Sequence, residues 1–362
     1  MRGKKQDQVS VACLLNVETM IPEDHPIRPI KRMLWDVLGQ MDGHFDEMYA
    51  ELGRPSIPPE QLLLSKVLMA LYSIRSERQF CERLPYDLLF RWFLDLNPDE
   101  AVFDHSTFSQ NQQRLLEHKV ADLFFAEVVW LAKEKGWVSD EHFSVDGTLI
   151  EAWASLKSFK PKGSGRGPAE GNTWTDFKGE SRSNDTHEST TDPEAKLVRK
   201  GNGREARLAF AGHATMENRH GLCVLFEIKP AAGAAEAEVA VAQIKELQER
   251  GFDPRSVGAD RGYCSQRFVE GLRERGVTPH PAHDPRRHLM GLHLRSRAHA
   301  LSQRARRRIE EIFGWTKTTG CFRKSRYRGV ERTHAAAQYV VATWNLLRMA
   351  RLALGPPVWA RA

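Results

Sequence analysis

Three acidic residues stand in settings that suit metal-dependent phosphodiester chemistry. Asp146 lies within the alternating, β-branched run of residues 143–150, Asp260 follows a short apolar stretch, and Glu310 lies in a strongly basic helical pattern. Converging carboxylates can hold two Mg²⁺ ions about 3.5 to 4 Å apart, one activating the attacking oxygen and one stabilising the leaving oxygen. Because an isolated Asp-Gly pair is more typical of a turn, the prediction for Asp146 depends on the other two acids.

The composition indicates an ordinary globular chain. Its 362 residues suffice for two domains, and the hydrophobic and charged fractions are 41% and 28%. There is no apolar run of about 18 residues and no apolar signal-peptide segment near the start, so we expect a cytoplasmic protein without a membrane span. The five cysteines are scattered and form no C-x-x-C pair, which argues against a disulfide framework and a thiolate zinc site.

The positive charge is concentrated in one region. The net charge is +6 and the isoelectric point is about 9.1. Residues 285–328 contain thirteen Lys or Arg but only two acids, Glu310 and Glu311. This distribution favours a polyanionic partner such as DNA near the third candidate acid.

The hydrophobic pattern predicts two kinds of architecture in succession. Residues 1–138 show mainly helical spacing, which predicts an all-α domain that either binds DNA, for example through a helix-turn-helix, or dimerises. From residue 139 to 362 the pattern is three strands, then helix, strand, helix, strand and helix. We therefore predict an α/β domain with a ribonuclease-H-like mixed five-stranded sheet and flanking helices. The polar residues 157–196 predict a flexible insertion.

Three segments, residues 145–148, 258–263 and 306–317, resemble the signature segments of the DDE transposases of bacterial insertion sequences. The resemblance extends to residues 24–28, 53–59, 72–78, 103–108, 200–206 and 212–218. It implies DNA transposition by a ribonuclease-H-like domain that uses Mg²⁺, for which Mn²⁺ can substitute. Asp146, Asp260 and Glu310 would then be both the catalytic residues and the metal ligands.

The third segment matches the family pattern with one departure. The family places a Tyr, an Arg, the catalytic Glu and a Lys on one helical face, and Gln303 occupies the Tyr position here. Periodicity alone does not choose between Glu310 and Glu311, whereas the family pattern selects Glu310. The residues expected to contact DNA, mainly through phosphates, are Arg306, Lys317, Arg307 and Arg261.

Five histidines crowd the residues before this segment: His280, His283, His288, His293 and His299. Structural zinc usually requires tighter spacing and cysteine or acidic partners. We expect DNA contact or simple surface placement for these histidines instead.

The function predicted from these features is that of a transposase. It would bind the terminal inverted repeats of an insertion sequence, cleave there and join the 3′ ends to target DNA, as a homodimer when DNA-bound because two ends must be joined. One alternative is a structure-specific nuclease on the same fold, which would cut without joining. The other is a DNA-binding protein whose catalytic domain is vestigial.

Overall fold

The structure is a computed structural model. It describes residues 16–49, 56–163, 182–199, 205–231, 236–286 and 296–355. In this part of the chain, no helix combines the length and apolar character needed to cross a membrane.

The N-terminal region is helical, as the sequence pattern predicts. Its helices are α1 (Val17–Met20), α2 (Ile27–Met48), α3 (Pro59–Leu71), α4 (Glu77–Arg83), α5 (Leu88–Phe93), α6 (His105–Glu117) and α7 (Val120–Glu134). Side chains of Ser76, Asp87 and Asp104 accept backbone N–H groups at the starts of α4, α5 and α6, which fixes those boundaries. The short helix α1 was not predicted, because four residues carry no periodic signal.

The main sheet has the predicted mixed, five-strand arrangement. Its principal strands are β1 (Phe143–Glu151), β5 (Arg207–Glu217), β6 (Leu222–Pro230), β7 (Ser256–Ala259) and β8 (Thr278–Pro281). Strand β5 pairs antiparallel with β1 on one side and with β6 on the other. Strand β7 runs parallel to β1, and β8 runs parallel to β7. The spatial order β6-β5-β1-β7-β8 confirms the predicted fold.

Short strands within and after the predicted insertion add to this arrangement. Strands β2 (Phe159–Pro161) and β3 (His187–Ser189) pair with each other, and β4 (Lys196–Val198) joins the main sheet. Ala209 of β5 pairs with β1 on one side and with β4 on the other. Strand β4 therefore lies on the same side of β5 as β6. Residues 164–181 lie outside the described residues, and the flexibility of the insertion stays a prediction.

In the described part of the chain, the α-helices that accompany the sheet are α8 (Glu236–Glu249), α9 (Gln266–Arg273), α10 (Arg297–Arg306), α11 (Ile309–Lys317) and α12 (Val330–Leu354). The sequence pattern predicts one helix over 301–318, but the structure divides it at residues 307–308. Like charges four residues apart, at Arg304 and Arg308, disfavour a continuous helix. Arg308 also donates to the carbonyls of Asn218 and Arg219, at 2.6 and 2.8 Å, which ties the break to the turn after β5.

Helix α12 packs against both the sheet and the N-terminal helices. It contacts β6 on one side and α7, α2 and α3 on the other. Asn345 is fully buried, and its side chain both accepts from the Cys223 N–H, at 2.9 Å, and donates to the Cys223 carbonyl, at 2.7 Å. The buried apolar residues form one hydrophobic cluster that runs from the first helices to α12. Hydrophobic packing is continuous across residue 138. The division of the chain into two domains at this residue therefore stays a prediction.

Candidate active site

Asp146 lies in β1, and Asp260 directly follows β7, the strand that runs parallel to β1. In the parallel pairing of β1 with β7, Phe143 is opposite Val257 and Ser144 is opposite Gly258. The same offset of 114 residues separates Asp146 from Asp260. The charge of Asp260 acts on Asp146, which indicates that the two carboxylates are near each other. Because side chains alternate along a strand, both carboxylates leave the sheet on the same face.

A glycine one residue after Asp146 and another two residues after Asp260 help to orient these side chains. The N–H of Gly147 donates to Asp146 Oδ1 at 2.8 Å, and the N–H of Gly262 donates to Asp260 Oδ1 at 2.7 Å. The Asp146 side chain is 18% exposed, so it is largely withdrawn from water. Each aspartate thus has one oxygen fixed by the backbone.

The electrostatic environment of Asp146 favours a cation. Burial raises its pKa to about 6, and the neighbouring charges of Asp260 and Glu236 act in the same direction. The Gly147 N–H and the guanidinium of Arg306 lower the pKa but do not cancel these effects. A divalent cation would relieve the repulsion between the acids.

Glu236, at the start of α8, is an acid near the aspartates that the sequence prediction did not include. A Cβ built on Gly147 would lie 3.2 Å from Glu236 Oε1, and one built on Gly262 would lie 3.8 Å from Glu236 Oε2. The carboxylate therefore lies beside the glycines that follow both aspartates. Burial and the charge of Asp260 raise the pKa of Glu236. No local signal distinguishes Glu236 in the sequence, because an acid in the first turn of a helix is common for electrostatic reasons.

The buried side chain of Tyr263 places its hydroxyl near Gly147. Its side chain is 1% exposed, and its Oη would be 3.6 Å from a Cβ on Gly147. Burial, followed by the charges of Glu236, Asp146 and Asp260, raises the pKa of this hydroxyl. The phenol thus stays protonated and faces the acids.

Helices α10 and α11 bring the third signature segment to β1. Arg306 Nη1 lies 3.8 Å from Asp146 Oδ2, and Lys317 Nζ donates to Thr148 Oγ1 at 2.5 Å. Glu310 is exposed and is seven residues before Lys317, which places both residues on the same face of α11. The structure therefore brings Arg306, Lys317 and the Glu310 face of α11 towards β1.

Glu311 lies near enough to α12 for its charge to act on Arg348. Burial and the nearby Arg308 lower the pKa of Arg348 in α12, and the charge of Glu311 raises it. Glu311 thus interacts with α12. This difference between adjacent glutamates is consistent with the family pattern that selects Glu310.

Gln303, at the position where the family has Tyr, holds α10 against the sheet. Its Nε2 donates to the carbonyl of His280 at 2.6 Å and to the carbonyl of Ala259 at 3.3 Å. These carbonyls lie in β8 and β7, and Ala259 immediately precedes Asp260. In this chain the residue is an internal anchor, three positions before Arg306.

The other two residues expected to contact DNA are exposed. Arg261 follows Asp260 directly in a short 3-10 turn, and Arg307 lies in the break between α10 and α11. Arg261 is therefore next to Asp260, and Arg307 lies just before α11, the helix that contains Glu310.

The histidines form a partial cluster. The His280 ring is 6.3 Å from His142 and 5.9 Å from His299, between ring centroids. Burial lowers the pKa of His142 to about 4 and also lowers the pKa of His280. His288 and His293 lie outside the described residues.

The donor chemistry suits Mg²⁺ even though the acids do not form a closed cage. Across the described ranges, no three His, Cys, Asp or Glu side chains lie close enough together to hold a metal ion. Asp146 and Asp260 nevertheless offer only oxygen ligands, which Mg²⁺ prefers, and it binds through one or two carboxylates while keeping several waters. The two aligned aspartates fit such a cation.

Comparison with known proteins gives matches to two family models and to several solved structures. Residues 15–114 match a model described as Transposase domain (DUF772), and residues 139–346 match one described as Transposase DDE domain. No curated protein matches the chain.

Two of the solved structures that match the chain differ in their TM-scores. A piggyBac transposase synaptic complex with hairpin DNA is 9% identical, with 92% of this chain and 77% of that chain covered and a TM-score of 0.44. A pre-cleavage Mos1 transpososome is 10% identical, with 83% and 82% covered and a TM-score of 0.20. These scores are too low to bear on the mechanism. The DDE domain model, in contrast, spans more than half of the sequence and includes the aligned aspartates, and the chain therefore belongs to the DDE-domain family of transposases.

Proposed function

We propose that this transposase binds the ends of an insertion sequence, cleaves the DNA there and joins the 3′ ends to target DNA. The observation that carries the proposal is that Asp260, which follows a strand parallel to β1, lies near enough to Asp146 for its charge to raise the pKa of Asp146. Both residues lie inside the segment that matches the DDE domain. The raised pKa of Asp146 supports it, because catalytic sites are where such perturbation concentrates.

Each acidic and basic group has a distinct part in this chemistry. Asp146, Asp260 and Glu310 would hold Mg²⁺, or Mn²⁺ in its place, and the cation would supply activation of the attacking oxygen and stabilisation of the leaving oxygen of a phosphodiester. The Gly147 and Gly262 N–H groups hold the two aspartates in orientation for this role. Water attacks in the cutting step, and the freed 3′-hydroxyl attacks in the joining step at the same site.

The basic residues position the DNA. Arg261 and Arg307 are exposed beside the acids and are suited to bind phosphates, which fix the register of the DNA without reading its sequence. Arg306 and Lys317 lie closer to β1, where they would meet the scissile phosphate. The helices of residues 1–138 would bind the terminal inverted repeats or join two copies of the chain on DNA.

Cleavage of a labelled duplex that carries the element's own ends tests the proposal. The reaction is run with Mg²⁺ and with EDTA for the wild type, Glu310→Gln and Glu311→Gln. These two variants make the same chemical change at adjacent residues. We expect metal-dependent cleavage by the wild type and by Glu311→Gln, and its loss in Glu310→Gln with DNA binding retained.

Other outcomes would support the alternatives. Cleavage without strand transfer, in an assay that supplies target DNA, would identify a structure-specific nuclease. DNA binding without cleavage by any of the three proteins would identify a DNA-binding protein with a vestigial catalytic domain. Cleavage that persists in Glu310→Gln and is lost in Glu311→Gln would overturn the assignment of the third acid.

A further inference from the structure

Helix α6 presents an exposed face of uncharged polar side chains. Four residues at helical spacing form this polar face: Ser106, Ser109, Gln110 and Gln113. Phe108, Asn111 and Leu115 are buried on the opposite side of the helix, which fixes the direction of the face. Serine forms helices less readily than Glu, Lys or Arg, the residues that suit a merely solvated helix surface. The composition of the polar face therefore indicates a role other than solvation.

Arginines contact both ends of this helix. Arg78 Nη2 lies 3.4 Å from Nε2 of His105, the first residue of α6. Arg332 Nη2 donates to Gln113 Oε1 at 3.2 Å, nearer the end of α6. Arg78 belongs to α4 and Arg332 to α12, and both are exposed. Positive charge from two distant parts of the chain thus meets beside the polar face.

Two further exposed arginines, Arg75 and Arg326, lie beside the same helix. They line a cavity to which Gln112 of α6 also contributes. Within the described ranges, none of the four arginines forms a salt bridge, whereas the exposed Arg207 pairs with Glu151. A group of positive charges without acidic partners repels itself and favours a polyanionic ligand.

A DNA duplex fits both features of this surface. The major groove of B-DNA admits an α-helix, and glutamine and serine side chains can bond to the edges of its bases. Arginines beside such a helix bind phosphates, which fix its register on the duplex. An uncharged polar face with unpaired arginines next to it provides both kinds of contact.

We propose that α6 enters the major groove at the ends of the insertion sequence and reads the terminal sequence through its polar face. Phosphates bind the four flanking arginines: Arg75, Arg78, Arg326 and Arg332. The inference rests on the proposed function and assigns its recognition of the DNA ends to one helix. Arg326 and Arg332 lie in the segment that matches the DDE domain, so the bound DNA contacts both regions of the chain.

DNA binding in EDTA, which prevents metal-dependent cleavage, tests the polar face. Fluorescence anisotropy is measured with a duplex of the element's own end and with a scrambled duplex of the same length. Gln110→Ala should lower the affinity for the own end by about 5- to 150-fold, with little effect on the scrambled duplex. Gln40→Ala, the same change at an exposed position of α2, is the control and should match the wild type.

A variant with alanine at all four positions of the polar face should lose most of the preference for the own end. Alanine has the highest helix propensity, so α6 should persist in this four-alanine variant, and its melting temperature checks this.

The arginines should affect both duplexes alike. Arg78→Ala and Arg332→Ala should each weaken binding to the two duplexes by the same factor. Each should also reduce the dependence of log affinity on log salt concentration by about 0.9, because one phosphate contact is lost. Arg32→Ala, at an exposed position of α2, should change neither quantity.

The outcomes separate this inference from the proposed function. An unchanged preference for the own end in the four-alanine variant would overturn the role of α6 and leave the proposed function in place. Equal weakening on both duplexes would show contact without sequence reading and would also overturn it. Lost self-association in sedimentation without DNA, with the DNA preference unchanged, would assign the polar face to contact between copies of the chain instead. Absence of any preference for the own end in the wild type would contradict the proposed function itself.

Discussion

Asp146→Asn is expected to make the metal-free protein more stable at neutral pH while abolishing cleavage. The wild-type carboxylate is largely buried beside Asp260 and Glu236, so its ionised form is unfavourable in the folded protein. Asparagine keeps an oxygen to accept the Gly147 N–H bond but carries no charge. Stability and activity should therefore change in opposite directions.

The size of the effect follows from the pKa. The folded protein holds the Asp146 proton up to a pKa of about 6, whereas the ordinary value in an unfolded chain is 3.8. Since one pKa unit corresponds to about 1.4 kcal/mol, ionised Asp146 destabilises the wild type by about 3 kcal/mol at about pH 7.5 and by roughly half that at about pH 5. The stability gained by substitution should thus be largest above pH 6 and vanish below pH 3.8.

Urea unfolding in EDTA at about pH 7.5 and about pH 5 measures this difference. Asp99→Asn, an exchange of the same type at an exposed turn residue, is the control and should change stability by less than about 0.5 kcal/mol. Saturating Mg²⁺ should narrow the gap between the wild type and Asp146→Asn, because the cation stabilises only the wild-type site. A gain that is absent, or that is equal at both pH values, would refute the electrostatic reasoning.

Two further substitutions test the supports of the fold and the site. Glu77→Gln should destabilise the protein by about 3 kcal/mol in urea unfolding, because the half-buried Lys66, 2.8 Å from Glu77, would lose its counter-ion. Burial raises the pKa of Glu77, but the ion pair with Lys66 outweighs it and holds this pKa at about 2. The contribution to stability is therefore present above pH 4.5 and is lost as the pH falls towards 2. A loss of less than about 1 kcal/mol in the free energy of unfolding at neutral pH would contradict this role of the ion pair. Gln303→Ala should cost about 1 to 2 kcal/mol and slow cleavage, since the carbonyls of Ala259 and His280 lose their donor. Unchanged stability together with weakened DNA binding would instead favour a direct DNA contact at Gln303.

The sequence was sufficient to predict the fold and the two parallel strands near which Asp146 and Asp260 lie. Strong alternation over residues 143–150 and the switch from helical to strand spacing near residue 139 locate the sheet, and the strand order then makes Asp146 and Asp260 neighbours. This inference succeeds because register and topology are imposed by which faces must be buried.

Other features depend on tertiary contacts that leave no local signal. Strand β4 has only three residues, and its pairing with β5 requires no periodic pattern. The division of the predicted helix at residues 307–308 depends on carbonyls of the distant residues Asn218 and Arg219. Glu236 reaches the site only because α8 begins beside Gly147 in space.

The position of α12 constrains how the protein could work on DNA. Because this helix is shared by the β6 face and by α2, α3 and α7, a hinge between the two regions would have to expose a continuous apolar interior. Any DNA gripped by the N-terminal helices would consequently stay at a distance from Asp146 that is fixed when the chain folds. The number of base pairs between the bound sequence and the cleaved phosphate would then be set by the fold of the protein.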